Sequence, residues 1–319
     1  MKKQDWTIVK NMFPILGFFL IVLIFSIATG GAMLAKVSLQ SLLNQVMTIS
    51  LVSIGAVFIF GSGNFDLSLS GSVALSAVLA GYAAIATGNL LIALLTSISV
   101  ALLVSLLKGV FAAFIDVPLF IVTIVLGSMI TALVLVIMGD DATIYLSEAV
   151  KEIPSFTFGE LTAINLVILG GYFVFCLILF NYTSLGRKIK LIGGNQVTAR
   201  HLGINLPWVK ISAFLVSGLG VGLAAFALLI RTRTVGTTSA GSVGMNVLVA
   251  LVLGGMPLTG GPRSRISAGL VGAASIAVLN AGLTMVGFSL AMVQISRAII
   301  FLAIVYLASM SYRTKLLPR

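Results

Sequence analysis

Few residues in this sequence can do chemistry, and those that can stand far apart in apolar surroundings. Asp66, Lys108 and Arg297 are charges within or at the edges of long apolar runs, and Asn246 and Asn280 are amides in similar positions. His201 is the single histidine and Cys176 the single cysteine. Neither a histidine-based metal site nor an intrachain disulfide can be assembled from them, and a lone thiol in an apolar run reads as a small hydrophobe. Asp140, Asp141, Glu148, Glu152 and Glu160 gather in one loop, 139–163, with Lys151 among them, at spacings that suit neither a metal nor a paired acid and base. The chain contains no Gly-x-x-x-x-Gly-Lys-Ser/Thr loop to cradle nucleotide phosphates, so any ATP hydrolysis belongs to another polypeptide. The residues therefore point away from an enzyme.

The elements that must position these residues are membrane helices. The chain has 319 residues, 59% of them hydrophobic and 8% charged, with mean hydropathy +1.20. A water-soluble chain carries about 25% charged residues, so lipid must cover most of this one. The expected fold is an all-α polytopic membrane protein, a single transmembrane domain over 1–319. Runs of sufficient length for a span of roughly 20 residues are Pro14–Leu34, Val46–Phe60, Leu69–Ala86, Leu90–Phe114 and Leu119–Met138, then Ile164–Phe180, Ile211–Ile230, Val243–Leu258, Ile266–Val286 and Phe288–Met310. The first is long enough to span and lacks an obvious cleavage site, so it reads as an anchor and not a signal peptide.

A net charge of +11 would suggest nucleic acid in a soluble domain, but here the basic residues sit at the ends of apolar runs. They set orientation instead. With both termini in the cytoplasm, Lys2, Lys3, Lys10, Arg187, Lys188, Lys190, Arg200, Lys210, Arg263, Arg265, Arg313, Lys315 and Arg319 lie inside, and only Lys36, Lys151, Arg231 and Arg233 lie outside. The second span is short and runs into Gly61-Ser62-Gly63-Asn64-Phe65-Asp66-Leu67-Ser68-Leu69-Ser70-Gly71, which reads as a helix break followed by a fresh N-terminus at membrane depth. The eighth is also short and ends in Gly254-Gly255-Met256-Pro257-Leu258-Thr259-Gly260-Gly261-Pro262. Paired interruptions of this kind suggest an internal pseudo-repeat.

Within that frame each intramembrane polar residue has a structural and a functional reading. Arg297 reads first as a cap on buried carbonyls between packed helices, and second as lining a path or anchoring a conformational ion pair. Lys108 reads as a side chain that snorkels to the headgroups. Asp66 reads as stabilising the start of the third span through the helix dipole, with direct contact to a substrate as its alternative. Asn246 and Asn280 read as interhelical hydrogen-bonding groups. Candidate pathway or gating residues are thus Asn64, Asp66, Ser68, Asn246 and Arg297. The run Gly218-Leu219-Gly220-Val221-Gly222 allows close helix approach.

The stretch 184–210 is a basic, polar insert between two spans. Asn195 suits an N-cap, Gln196–Leu202 would form about two turns, and Gly203 suits the left-handed position that ends a helix. Pro207 fits an early position of the seventh span. The insert reads either as a docking surface for another protein or as a basic loop that only enforces topology.

Several blocks, in order along the chain, carry a resemblance. They are Thr183-Ser184-Leu185-Gly186-Arg187-Lys188, Gly193-Gly194-Asn195, Leu202-Gly203-Ile204-Asn205, Phe65-Asp66-Leu67-Ser68, Val117-Pro118-Leu119-Phe120-Ile121-Val122-Thr123, Val252-Leu253-Gly254-Gly255 and Thr259-Gly260-Gly261. Together they resemble the permease subunits of ribose-type (carbohydrate-uptake) ABC importers, in the branched-chain/ribose permease superfamily. The resemblance implies a bacterial inner-membrane permease, dimeric with a second copy or a paralogue. It implies cytoplasmic ATP-binding subunits that hold ATP and Mg, an extracytoplasmic substrate-binding protein, and no cofactor in this chain. It makes Gly194, Asn195, Thr198, Ala199, Arg200, His201, Leu202, Gly203 and Asn205 the coupling element that meets the ATPase. The implied cargo is a monosaccharide or related small ring compound, with a nucleoside or branched-chain amino acid as the alternative. An ion-coupled secondary transporter would need acids along a relay, and only Asp66 is available. The chain departs from the family pattern at Asn64, at Ser70-Gly71 and at Gly244-Met245-Asn246, where Glu-Leu-Asp is common.

Overall fold

The computed structural model describes residues 3–115, 117–140, 143–146 and 156–313, with side chains of those between 12 and 306. The described residues form helices α1 (Lys3–Ala28), α2 (Lys36–Gly61), α3 (Leu69–Thr87), α4 (Leu90–Phe114), α5 (Leu119–Met138), α6 (Phe158–Tyr182), α7 (Ser184–Gly194), α8 (Gln196–His201), α9 (Leu206–Thr232), α10 (Val243–Leu253), α11 (Ile266–Met285) and α12 (Leu290–Arg313). Seven of these are long and apolar enough to cross a membrane, and Met12–Ala28, Val243–Leu253 and Leu290–Tyr306 are shorter apolar helices. The chain is an all-α, multi-pass membrane protein.

Several boundaries differ from the sequence reading: α1 ends at Ala28 instead of Leu34, α9 starts at Leu206 instead of Ile211, and three further shifts have a local cause. The second span is not short: α2 starts at Lys36 and runs for 26 residues. Its first turns carry Gln40, Ser41, Asn44 and Gln45, which depress hydropathy without disturbing backbone hydrogen bonds. The sixth span starts at Phe158, where Thr157 and Glu160 form a reciprocal capping box. The eighth stops at Leu253, because Gly255 takes a left-handed φ of 81° and Pro257 follows. A feature with no sequence signal is an antiparallel strand pair, β1 (Thr143–Tyr145) with β2 (Thr234–Gly236), in register Ile144↔Val235. It ties the loop after α5 to the connection between α9 and α10. Asp141, Glu148, Lys151 and Glu152 of the expected acidic loop lie outside the described residues.

The interior is built around α2 and α9, which pack on each other, with α4 against α9 and α11 against α2. Lipid offers no hydrophobic drive for helix association, so close van der Waals approach must supply it. The glycine stripe provides this approach: Gly218 and Gly222 lie against Ser105 and Ile98 of α4, and Gly220 lies against Leu51 of α2 and Tyr172 of α6. Any Cβ there would force the helices apart.

The two glycine-rich breaks meet at one end of the molecule, where the Gly261 N–H donates to the Gly61 carbonyl at 2.9 Å. From there the unwound stretch 62–68 runs beside the 11-residue α10. Gly63 lies against Thr259 beyond one end of α10, and at the other end the Gly244 N–H donates to Ser70 Oγ at 2.8 Å. Ser62, Asp66 and Ser68 of this stretch are buried and Gly63, Asn64, Phe65 and Leu67 half-buried, so protein covers most of the irregular backbone, as a membrane interior requires.

Candidate functional site

The first part of the site is a cavity of about 400 Å³ between α2, α9, α10, α11 and α12. It involves the Gln45–Thr48 end of α2, whereas α7 packs against the other end, at Gly61. At 1.5 Å per residue those ends are about 20 Å apart. Ser41, Gln45 and Thr48 contribute from one face of α2, Asn280 and Thr284 from one face of α11, and Ser239, Ser242 and Asn246 from the start of α10 and the loop before it. Arg231 and Arg297 complete the polar lining, which includes no carboxylate. Asn280 Nδ2 donates to Asn246 Oδ1 at 3.2 Å, joining α11 to α10, while Asn280 Oδ1 has no partner among the described residues.

Arg297 is 5% exposed, and its Nε has no hydrogen-bond partner among the described residues; the Nε of Arg231 is in the same condition. The expectation that Arg297 caps buried carbonyls is therefore not met. It enters the bundle with Val293 and faces the cavity.

The second part is a buried ion pair on the other face of the start of α3. Lys108 Nζ lies 2.8 Å from Asp66 Oδ2, and also donates to Ser68 Oγ at 3.0 Å and Ser72 Oγ at 3.1 Å. Asp66 Oδ1 accepts from the Ser68 N–H at 2.9 Å and from Ser68 Oγ. Lys108 is 2% exposed, so it does not snorkel to the surface: three oxygens inside the protein satisfy the ammonium. Asp66 does sit at the head of α3, as its sequence position suggests, but its main partner is a charge on α4. The neighbouring unwound backbone is held by Thr123, whose Oγ1 accepts from the Leu67 N–H at 3.2 Å.

The third part is the 184–210 region. Ser184–Gly194 is an amphipathic helix that the sequence reading left unassigned; Ile189 and Ile192 are buried while Arg187 and Lys188 are exposed. Lys190 Nζ rests 4.6 Å from the Phe180 ring centre, and partial burial pulls its pKa below the usual lysine range. Asn195 caps α8 by accepting the Thr198 N–H at 3.0 Å, and Gly203 takes φ 75°. Asn205 then caps α9 through the Trp208 N–H at 3.3 Å, with Pro207 in the first turn. Ala199 is buried, whereas Gly194, Asn195, Thr198, Arg200, His201, Leu202, Gly203 and Asn205 are exposed. Val197, Leu202 and Trp208 add exposed apolar surface at this end. Gly193 packs directly on the Gly61 carbonyl and the Gly261 backbone, so the insert is joined to both breaks by backbone contact.

Of the candidate pathway residues, Asn246 and Arg297 share the cavity, and Asp66 and Ser68 share the ion pair. Asn64 belongs to neither: its Nδ2 donates to Ser62 Oγ at 3.0 Å in the turn next to the glycine junction. Sequence reasoning missed Gln45, Thr48, Arg231 and Ser242. A signal existed for two of them, since Ser41, Gln45 and Thr48 recur at helical spacing on one face, but the hydropathy cut at Val46 left Ser41 and Gln45 outside the span and broke the pattern. Of the departures at 244–246, Asn246 lines the cavity's α10 wall, whereas Gly244 packs against Ser70 of α3.

Comparison with known proteins places this geometry. The sequence pattern of the family described as branched-chain amino acid transport system, permease component, matches residues 38–307. The ribose import permease protein RbsC of Bacillus subtilis is 28% identical over 289 residues, covering 88% of this chain and 87% of that one. RbsC of Escherichia coli K12 is 27% identical over 268 residues, 83% of each chain. The fructose import permease protein FrcC of Rhizobium meliloti is 27% identical over 288 residues, 86% of this chain and 78% of its own.

Proposed function

Because the chain belongs to the family of branched-chain amino acid transport system permease components, we propose that it is the membrane subunit of an ATP-driven importer for a monosaccharide or related ring compound. Relatives aligned over more than four-fifths of the chain are named as ribose and fructose import permeases, which favours a sugar over an amino acid. The observation that carries the mechanism is the backbone junction of Gly193 with Gly61 and Gly261. It joins α7, which leads directly into the exposed, capped α8, to the end of α2 and to the loop that follows α10, and both of those helices wall the cavity. In this reading cytoplasmic ATPase subunits, which bind ATP and Mg, dock on α7–α8 and the exposed Val197, Leu202 and Trp208. Both termini face the cytoplasm, the cavity faces the other side, and a binding protein delivers the substrate there. A second permease copy or a paralogue completes the path.

Affinity purification of the tagged chain in mild detergent from its own membranes tests this reading. An ATP-binding subunit is expected to co-purify, and its ATPase rate is expected to rise when the loaded binding protein is added. Isolation of the chain without any ATPase, together with uptake that survives ATP depletion, would contradict it.

A further inference from the structure

We infer that the cavity is built to receive an anionic group, a carboxylate or phosphate carried by a small hydroxylated substrate, between Arg231 and Arg297. This deepens the importer reading and rests on it.

Two guanidinium groups line the cavity and no lining residue offers a carboxylate. Arg297 is 95% buried, at 5% exposure, and its Nε is unsatisfied among the described residues, as is that of Arg231. A guanidinium is always charged and presents a planar fork of donors suited to carboxylate or phosphate oxygens. Burying it without an anion is unfavourable, and the same protein places an acid beside its buried Lys108. Here the counter-charge is left open towards a cavity. The start of α10 reinforces the field: Ser242 precedes its first turn and lines the cavity, so the positive end of an 11-residue helix adds to the arginines.

The rest of the wall suits hydroxyl groups. Gln45, Asn246 and Asn280 each offer both donors and acceptors, and Asn280 Oδ1 is buried without a partner among the described residues. A volume of about 400 Å³ falls within the range of about 300–1,000 Å³ usual for small-molecule sites. An acidic sugar, with one oxyanion and several hydroxyls, matches both halves of the lining.

The test uses the full chain with its co-purifying subunits in nanodiscs, without ATP, titrated with D-ribose, D-ribonate and D-ribose 5-phosphate while the melting temperature is followed. At least one of the two anions is expected to raise it saturably, with apparent affinity about tenfold or more tighter than ribose. Which anion does so separates carboxylate from phosphate. Arg297→Met is expected to weaken that response about tenfold. Asn246→Asp, which supplies a carboxylate inside the cavity, is expected to do the same, and it decides the matter if the arginine variant fails to assemble. Equal responses to all three solutes, no response to either anion, or an anion response unchanged in Asn246→Asp overturns the inference. Greater stabilisation by phosphatidylglycerol in the nanodisc than by either solute assigns the arginines to lipid and overturns it too. ATP-driven uptake of a neutral sugar with no anion preference sinks this inference while leaving the importer intact. Anion binding with ATP-independent uptake sinks the importer reading and leaves the cavity.

Discussion

Two buried cations are treated in opposite ways. Lys108 is enclosed by Asp66, Ser68 and Ser72 and is neutral as a cluster, whereas Arg297 faces a cavity with its Nε unsatisfied. The regions are neighbours: the first turn of α3 presents Ser68 and Ser72 to Lys108 on one side and Ser70 to the start of α10 on the other. A compensated charge clamps helices together, because either partner alone would be strongly unfavourable in this setting. An uncompensated one next to open volume serves something that arrives from outside. Both positions carry a charge in an apolar run, so sequence alone cannot separate them; the partner across space does.

The largest effect is expected at the clamp. Lys108→Met leaves Asp66 buried without a counter-charge and should destabilise the protein by about 3–5 kcal/mol, seen as loss of folded protein on size exclusion. Combining it with Asp66→Asn should restore most of the yield. Full stability of the single variant would break the comparison.

Arg297→Met should behave in the opposite way. Its melting temperature is expected to hold or rise, since an unpaired buried charge is removed, while uptake in proteoliposomes falls by about tenfold or more, the loss of a charged hydrogen bond of about 1.5–3 kcal/mol. Normal flux with a lower protein yield would place Arg297 with Lys108 as a structural residue.

Two smaller changes probe what connects the regions. A Cβ at Gly193 would strike the Gly61 carbonyl and Gly261, so Gly193→Ala should destabilise by about 1–3 kcal/mol through overpacking. It should also lower substrate moved per ATP hydrolysed, measured as paired flux and ATPase rates. Ser70→Ala removes the acceptor for the Gly244 N–H, a change worth about 0.5–1.5 kcal/mol. It is expected to shift the melting temperature slightly and to speed hydrogen exchange at Gly244.

Much of this architecture was legible in the sequence because its signals are local. Asn195, Gly203 and Pro207 announce a cap, a stop and a helix start by residue type, and the apolar runs of α4 and α5 end where the helices do. What was not legible depends on distance in sequence. Lys108 and Asp66 come from different spans, so the pattern around Lys108 looked like an ordinary helix end. Hydropathy hid the first turns of α2 because polar residues that face a cavity look like loop residues. The strand pair of Thr143–Tyr145 with Thr234–Gly236 is too short to leave a periodic trace. Arg231 and Arg297 likewise come to line one cavity only when α9 and α12 fold around it.

The measurement that bears most directly on the proposed function is uptake into proteoliposomes holding the purified permease, its co-purified ATPase and its binding protein. With ATP available to the ATPase subunits, substrate is expected to accumulate against its gradient and to continue doing so when ionophores collapse proton and sodium gradients. Accumulation that proceeds without ATP, or that follows an imposed ion gradient, would contradict the account.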